Sequence, residues 1–83
     1  RTISITKDGK YIFVTCYNAD QLQAFDADSL KLIGSWESNG HPVAAEVFQD
    51  GDLIEVWVGN HTYGTVKVFT FKEDSFSKEV TPE

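Results

Sequence analysis

The chain has 83 residues, 41% of them hydrophobic, and a formal net charge of −6. Val, Ile, Thr and the aromatic residues, which favour strands, make up 31 of the 83, and Met is absent. These proportions argue against a helical bundle, a coiled coil or a disordered chain, and no apolar run reaches the roughly 20 residues of a membrane-spanning helix. The negative charge disfavours partners held through phosphate groups, so we expect neither a nucleic-acid nor a membrane partner.

Short apolar segments alternate with clusters of Gly, Asn, Asp and Ser along the whole chain. In chain order the predicted strands are 2–6, 11–17, 22–25, 31–36, 43–48, 53–58, 65–71 and 76–81. No segment between them has helical periodicity. The sequence therefore predicts an all-β fold. The single cysteine, Cys16, allows no internal disulfide and is predicted to be buried and unreactive.

The two halves of the chain resemble each other. Three dipeptides recur, at offsets of 42, 44 and 46 residues: Asp8-Gly9 as Asp50-Gly51, Ala24-Phe25 as Val68-Phe69, and Asp28-Ser29 as Asp74-Ser75. A four-stranded unit repeated every 40–45 residues or so is typical of β-propeller blades. We therefore predict two tandem four-stranded antiparallel blades, in residues 1–42 and 43–83. The alternative, one eight-stranded barrel or sandwich, gives no reason for the internal copy.

Strand composition bears on how such blades are completed. The predicted strands 11–17 and 53–58 are largely apolar on both faces, as expected for strands lying between neighbouring blades. Two blades cannot close a ring, which takes roughly four to eight. The sequence thus predicts a fragment of a larger propeller, or a chain that associates with other blades or with copies of itself.

The segment 5–18, which reads ITKDGKYIFVTCYN, resembles the YVTN-type propeller repeat. The segments 22–26 (LQAFD) and 40–42 (GHP) fit later parts of that repeat, and 56–60 (VWVGN) matches its strand less closely in the second half. As two repeats, the resemblance covers essentially the whole chain. It extends to lactonase-like propellers related to phosphogluconolactonase and carboxymuconate cyclase, and more distantly to WD repeats. These folds host many functions.

The resemblance also implies where a site would lie. In the similar folds, the loops before the first strand and between the second and third strands share one face. The candidate ligand-binding residues there are Asp20, His41, His61 and Tyr63, because imidazole and carboxylate groups are common ligands. A structural role is the alternative, since a Gly-His pair in this position of WD-type blades hydrogen-bonds within its own blade, and Gly40-His41 fits that role.

Patterns that carry catalysis are missing from the sequence. The serines lie in no nucleophile-elbow motif, and no cofactor or metal motif is present, so no catalytic residue, cofactor or metal is assigned. Asn60-His61-Thr62 is a glycosylation sequon on a predicted loop. The function predicted first is a non-catalytic scaffold that binds a protein or a small molecule. The alternative is part of a lactonase-like or cyclase-like enzyme acting on a small organic acid or lactone.

Overall fold

The computed structural model describes residues 2–37, 40–61 and 64–80, the last four by their backbone alone. These residues form eight strands: β1 (Ile3–Ile5), β2 (Tyr11–Cys16), β3 (Gln21–Asp26), β4 (Leu32–Glu37), β5 (Pro42–Asp50), β6 (Leu53–Asn60), β7 (Thr65–Lys72) and β8 (Ser75–Val80). Strands β1 to β4 form a first antiparallel sheet in chain order, and β5 to β8 form a second. The predicted all-β fold with two four-stranded antiparallel units is confirmed. No described helix is long and apolar enough to span a membrane.

The two Asp-Gly turns are both left-handed at glycine but differ in length. Gly9 has a φ of 76° within a four-residue loop that is closed by the Thr6 N–H donating to the Tyr11 carbonyl. Gly51 has a φ of 60° and opens a two-residue loop between the paired residues Asp50 and Leu53, as in a type II′ hairpin. Both Asp-Gly turns thus contain a left-handed glycine, and the loop of the second hairpin is two residues shorter.

The core lies between the two sheets, which pack face to face. Phe13 of β2 and the β7 residues Phe69 and Phe71 have almost no exposed surface. The ring of Phe13 meets Phe71 edge-on, with 5.1 Å between centroids, and meets Phe76 at 5.8 Å. Trp36, on β4, packs against Phe69 at 5.9 Å. These aromatic contacts join strands from both sheets into one apolar layer.

A β-bulge recurs at corresponding places in the two sheets. The pairing of β3 with β4 shifts between Ala24 and Phe25, and that of β7 with β8 shifts between Thr70 and Phe71. The structural counterpart of Ala24-Phe25 is therefore Thr70-Phe71. The match predicted at an offset of 44 residues is wrong by two, because strand pairing and not sequence similarity fixes the register.

Corresponding side chains form a row across each sheet. Ile12 and Ile54 are each the third residue after the glycine of an Asp-Gly turn. Strand pairing joins each isoleucine to one residue from every other strand of its sheet: Ile5, Ile12, Phe25 and Leu32 in the first sheet, and Gln49, Ile54, Phe71 and Phe76 in the second. The two rows thus occupy corresponding positions of the two sheets.

The two rows nevertheless face opposite environments. In the second sheet the row points into the core, where Ile54 is 6% exposed and Phe76 is 7% exposed. In the first sheet the row points outward, and Ile5 and Leu32 are 57% and 55% exposed. The sheets therefore stack head to tail, the first using one side of the unit and the second using the other.

The opposite sides of the sheets show the reverse pattern. Thr15 of the first sheet is fully buried, whereas its counterpart Trp57, also the sixth residue after the turn glycine, is 43% exposed. Phe13 is fully buried, and its counterpart Glu55 lies beside Trp57 on the outer side of the second sheet, paired with Phe48. The side that the first sheet buries in the core is therefore exposed in the second sheet, and the side that the second sheet buries is exposed in the first.

Candidate functional site

Three segments meet at one end of the stacked sheets: the β2–β3 loop, the residue before β5 and the residue after β6. They bring together Tyr17, Asp20, His41 and His61, which we call the histidine cluster. The His41 ring stacks on the Tyr17 ring, with centroids 4.4 Å apart and planes 19° apart, and His61 lies 6.1 Å from Tyr17. The His61 N–H donates to the His41 carbonyl at 3.0 Å. One aromatic ring thus lies between two imidazoles.

Asp20 and His41 of the histidine cluster both have a left-handed backbone conformation. Asp20 has a φ of 54° and His41 a φ of 56°, a conformation that costs a non-glycine residue about 1–2 kcal/mol. Hydrogen bonds hold it in place, since the His41 N–H donates to Asp20 Oδ1 at 2.9 Å and the Asp20 N–H donates to the Tyr17 carbonyl at 3.3 Å. Strain of this kind persists only where neighbouring contacts fix it.

Hydrogen bonding fixes the tautomer of His41. Its Nδ1 lies 2.9 Å from the Tyr17 carbonyl oxygen and 3.0 Å from Asp20 Oδ1. Both of these atoms are acceptors, so Nδ1 carries a proton and donates it. Nε2 is then the ring atom available to a ligand, as an acceptor in the neutral ring or as a donor when the ring is protonated.

The histidine cluster is accessible from solvent. The side chains of His41 and Asp20 are 40% and 37% exposed. The surface offers a tautomer-fixed imidazole, a carboxylate and an aromatic ring held together, which suits a polar group or a planar ring of a partner. Among the residues that the structure describes, no three His, Cys, Asp or Glu side chains are grouped so that they could hold a metal ion.

Sequence reasoning located this cluster in part. The expected proximity of Asp20, His41 and His61 is confirmed, and their ligand-binding role stays a prediction. Tyr63 lies outside the described residues. Tyr17 was missed, although its position directly after an apolar strand and before a polar loop could have indicated it. The alternative of a structural role for Gly40-His41 also stays open, since the amide and ring of His41 bond to the loop after β2.

Two further expectations on single residues are wrong. Asn60 of the sequon lies at the end of β6, inside the sheet, and is only 4% exposed, so its amide is shielded from solvent. Cys16, expected to be buried, is half-buried on the outer side of β2, and its lack of reactivity stays a prediction. Both errors come from long-range packing that a local pattern does not encode.

An open cleft of about 400 Å³ lies at the opposite end of the stacked sheets. Its walls come from both sheets, and the residues that line it include Asp8, Lys10, Tyr11, Gln49, Phe71 and Lys72. Tyr11 Oη donates to Asp74 Oδ1 at 2.7 Å across the rim. Sequence reasoning did not indicate this cleft, because its walls are separated by about 40 to 60 residues along the chain.

The ionisable groups beside the cleft are perturbed by hydrogen bonds. The Thr6 hydroxyl, the Gln49 amide and the Lys10 N–H donate to the Asp8 carboxylate and lower its pKa to about 2. The hydrogen bond to Asp74, together with partial burial, raises the pKa of Tyr11 to about 12. The Asp8–Gln49 contact is reciprocal, since the Asp8 N–H donates to Gln49 Oε1 at 3.0 Å. These bonds tie the turns of the two sheets together.

Comparisons of the chain with protein-family models, curated proteins and solved structures gave no match.

Proposed function

We propose that this chain is a pair of successive β-propeller blades that acts as a non-catalytic interaction scaffold. In this proposal the head-to-tail sheets form the frame, and the loops of the histidine cluster are the surface offered to a protein or small-molecule ligand. The loop ends of such folds commonly carry binding residues on a rigid framework.

The observation that carries the proposal is the opposite use of corresponding faces. The row through Ile12 is exposed and the row through Ile54 is buried, although both hold the same repeat position. Propeller blades stack in this way, because each blade presents one face to the blade before it and the other to the blade after it. A closed eight-stranded sandwich has no need for such a relation between its halves.

The bonding within the histidine cluster supports a rigid frame for its loops, as a scaffold requires. The proton on His41 Nδ1 is shared with Asp20 and the Tyr17 carbonyl, so the His41–Asp20 pair ties the loop after β2 to the start of β5. An imidazole held by a carboxylate through Nδ1 is also the arrangement of a general base that acts on water, so a turnover assay separates the two roles.

A paired experiment tests this proposal. Hydrolysis of six-membered sugar lactones is measured with the natural chain, His41→Ala and His61→Ala, together with amide hydrogen exchange in the loops. We expect no turnover by any of the three. We also expect faster exchange at the amide of Asp20 in His41→Ala only, since His61 contributes its backbone N–H. Lactone turnover that falls in His41→Ala would overturn the scaffold proposal and favour the enzyme.

A further inference from the structure

We infer that the outer face of the first sheet binds the outer face of the second sheet in another copy of this chain. This inference rests on the proposed propeller-type stacking and names its partner. The outer face of the first sheet includes Ile3, Ile5, Ile12, Val14, Phe25 and Leu32, with Cys16 at its end. The outer face of the second sheet includes Glu46, Phe48, Leu53, Glu55, Trp57 and Val66.

The outer face of the first sheet is an apolar surface that stays exposed to solvent in the described part of the chain. Ile3, Ile5 and Leu32 are 74%, 57% and 55% exposed. They adjoin the half-buried Ile12 and Phe25 through direct strand pairing, so the apolar side chains are continuous across all four strands. A continuous apolar surface of this kind marks an interaction site.

The packing between the two sheets within one chain indicates which kind of face covers this surface. In the second sheet the same row of positions is buried against the first sheet, where Phe71 meets Tyr11 at 4.9 Å and Phe13 at 5.1 Å. The natural cover for the row through Ile12 is therefore a face that corresponds to Tyr11 and Phe13. On this chain that face is the outer face of the second sheet, where Leu53 is the counterpart of Tyr11.

The second face is also exposed, and its apolar side chains lie beside the carboxylates of Glu46 and Glu55. Phe48, Leu53 and Trp57 are 50%, 44% and 43% exposed. Each copy thus carries both halves of one contact, and association repeats the packing already present inside the chain. Such a contact is heterologous, so it adds copies until a ring closes. Rings of about four to eight blades correspond to two to four copies.

Charge modulates this association. Glu55 occupies the repeat position of Phe13 and accepts a hydrogen bond from Trp57 Nε1 at 3.3 Å. Each copy also carries a net charge of −6, so copies repel one another at low ionic strength. Added sodium chloride is expected to strengthen association, and Glu55→Phe is expected to tighten it on the order of tenfold, because it restores an aromatic ring at this position.

Sedimentation velocity at micromolar to millimolar concentration tests the inference with two blocking variants. Ile5→Lys blocks the first face and Trp57→Lys blocks the second, and each alone is expected to weaken association roughly tenfold or more. Mixing the two variants is expected to restore a dimer and nothing larger, since each variant keeps the face that the other has lost. Leu30→Lys, in the exposed β3–β4 turn, is the control and is expected to associate like the natural chain.

Other outcomes overturn the inference. If Ile5→Lys weakens association and Trp57→Lys leaves it unchanged, two first sheets pair with each other and the inferred contact is wrong. A natural chain that stays monomeric at every concentration also refutes it, while leaving the scaffold proposal to its own turnover and exchange test. Alkylation of Cys16, which lies on the first face, provides a second readout. Its rate is expected to fall as concentration rises in the natural chain and to stay constant in Ile5→Lys.

Discussion

Truncation of Phe13 to alanine removes the side chain at the centre of the contact between the sheets. Phe13 has no exposed surface and lies 5.1 Å from Phe71 and 5.8 Å from Phe76, measured between ring centroids. Deleting a buried phenylalanine costs about 3–5 kcal/mol. A domain of 83 residues has a total stability of roughly 4–12 kcal/mol, so Phe13→Ala is expected to remove a large part of it.

Urea unfolding at low protein concentration measures this loss. With a denaturant dependence of about 1 kcal/mol per M, a loss of 3 kcal/mol lowers the midpoint by about 3 M. Phe48→Ala is the matched control, because the same atoms are deleted from a side chain that is 50% exposed on the outer side of the second sheet. We expect it to cost less than about 1 kcal/mol.

The comparison of the two phenylalanine variants decides whether the core lies between the sheets. Equal losses for Phe13→Ala and Phe48→Ala would refute this placement. If Phe13→Ala does not fold, Phe13→Leu removes fewer atoms and keeps the comparison with Phe48→Leu measurable.

Three further substitutions probe the turns. Tyr11→Phe removes the hydrogen bond to Asp74 and is expected to lower the unfolding free energy by about 1 kcal/mol at neutral pH. Because the pKa of Tyr11 is raised from 10 to about 12, this stabilising contribution is present below pH 10 and is lost as the pH rises to 12. The unfolding free energy of the variant should therefore fall less at alkaline pH than that of the natural chain. The pKa of Asp8 is lowered from 3.8 to about 2, so its contribution is present above pH 3.8 and lost as the pH falls to about 2; the unfolding free energy of Asp8→Asn should depend less on pH there. Leu30 is 67% exposed and has a left-handed backbone with a φ of 62°. Leu30→Gly is therefore expected to raise the unfolding free energy by up to about 1 kcal/mol and to raise the thermal midpoint. An unchanged or lower midpoint would contradict backbone strain at this residue.

The strands were predictable because alternation and turn residues are local. The Asp-Gly turns indicated the starts of β2 and β6, and the lone polar interruption at Glu55 did not hide β6. The register was less predictable, since the bulge at Ala24/Phe25 and its counterpart at Thr70/Phe71 depend on strand pairing. Matching Ala24-Phe25 with the similar residues Val68-Phe69 therefore placed the correspondence between the two sheets two residues away from the one that strand pairing gives.

The histidine cluster was predictable only as a set of loops. Because the resemblance to propeller repeats implies that these loops share one face, Asp20, His41 and His61 were expected to be close. The stacking of Tyr17 on His41 was not foreseen, since it depends on left-handed backbone at residue 41. The sequence also did not predict which side of each sheet faces the core. Alternating side chains define the two faces of a strand, but they do not determine which face is buried.

Solvent exposure of Ile12 and Ile54 tests the head-to-tail stacking most directly. Relaxation of side-chain protons by a soluble gadolinium chelate is measured in the monomeric chain, with the Leu32 methyl protons and the Phe76 ring protons as a second pair. Strong relaxation at Ile12 and Leu32, with protection of Ile54 and Phe76, is the predicted result. Equal protection of Ile12 and Ile54 would contradict the opposite use of corresponding faces, and with it the propeller-type relation between the two sheets.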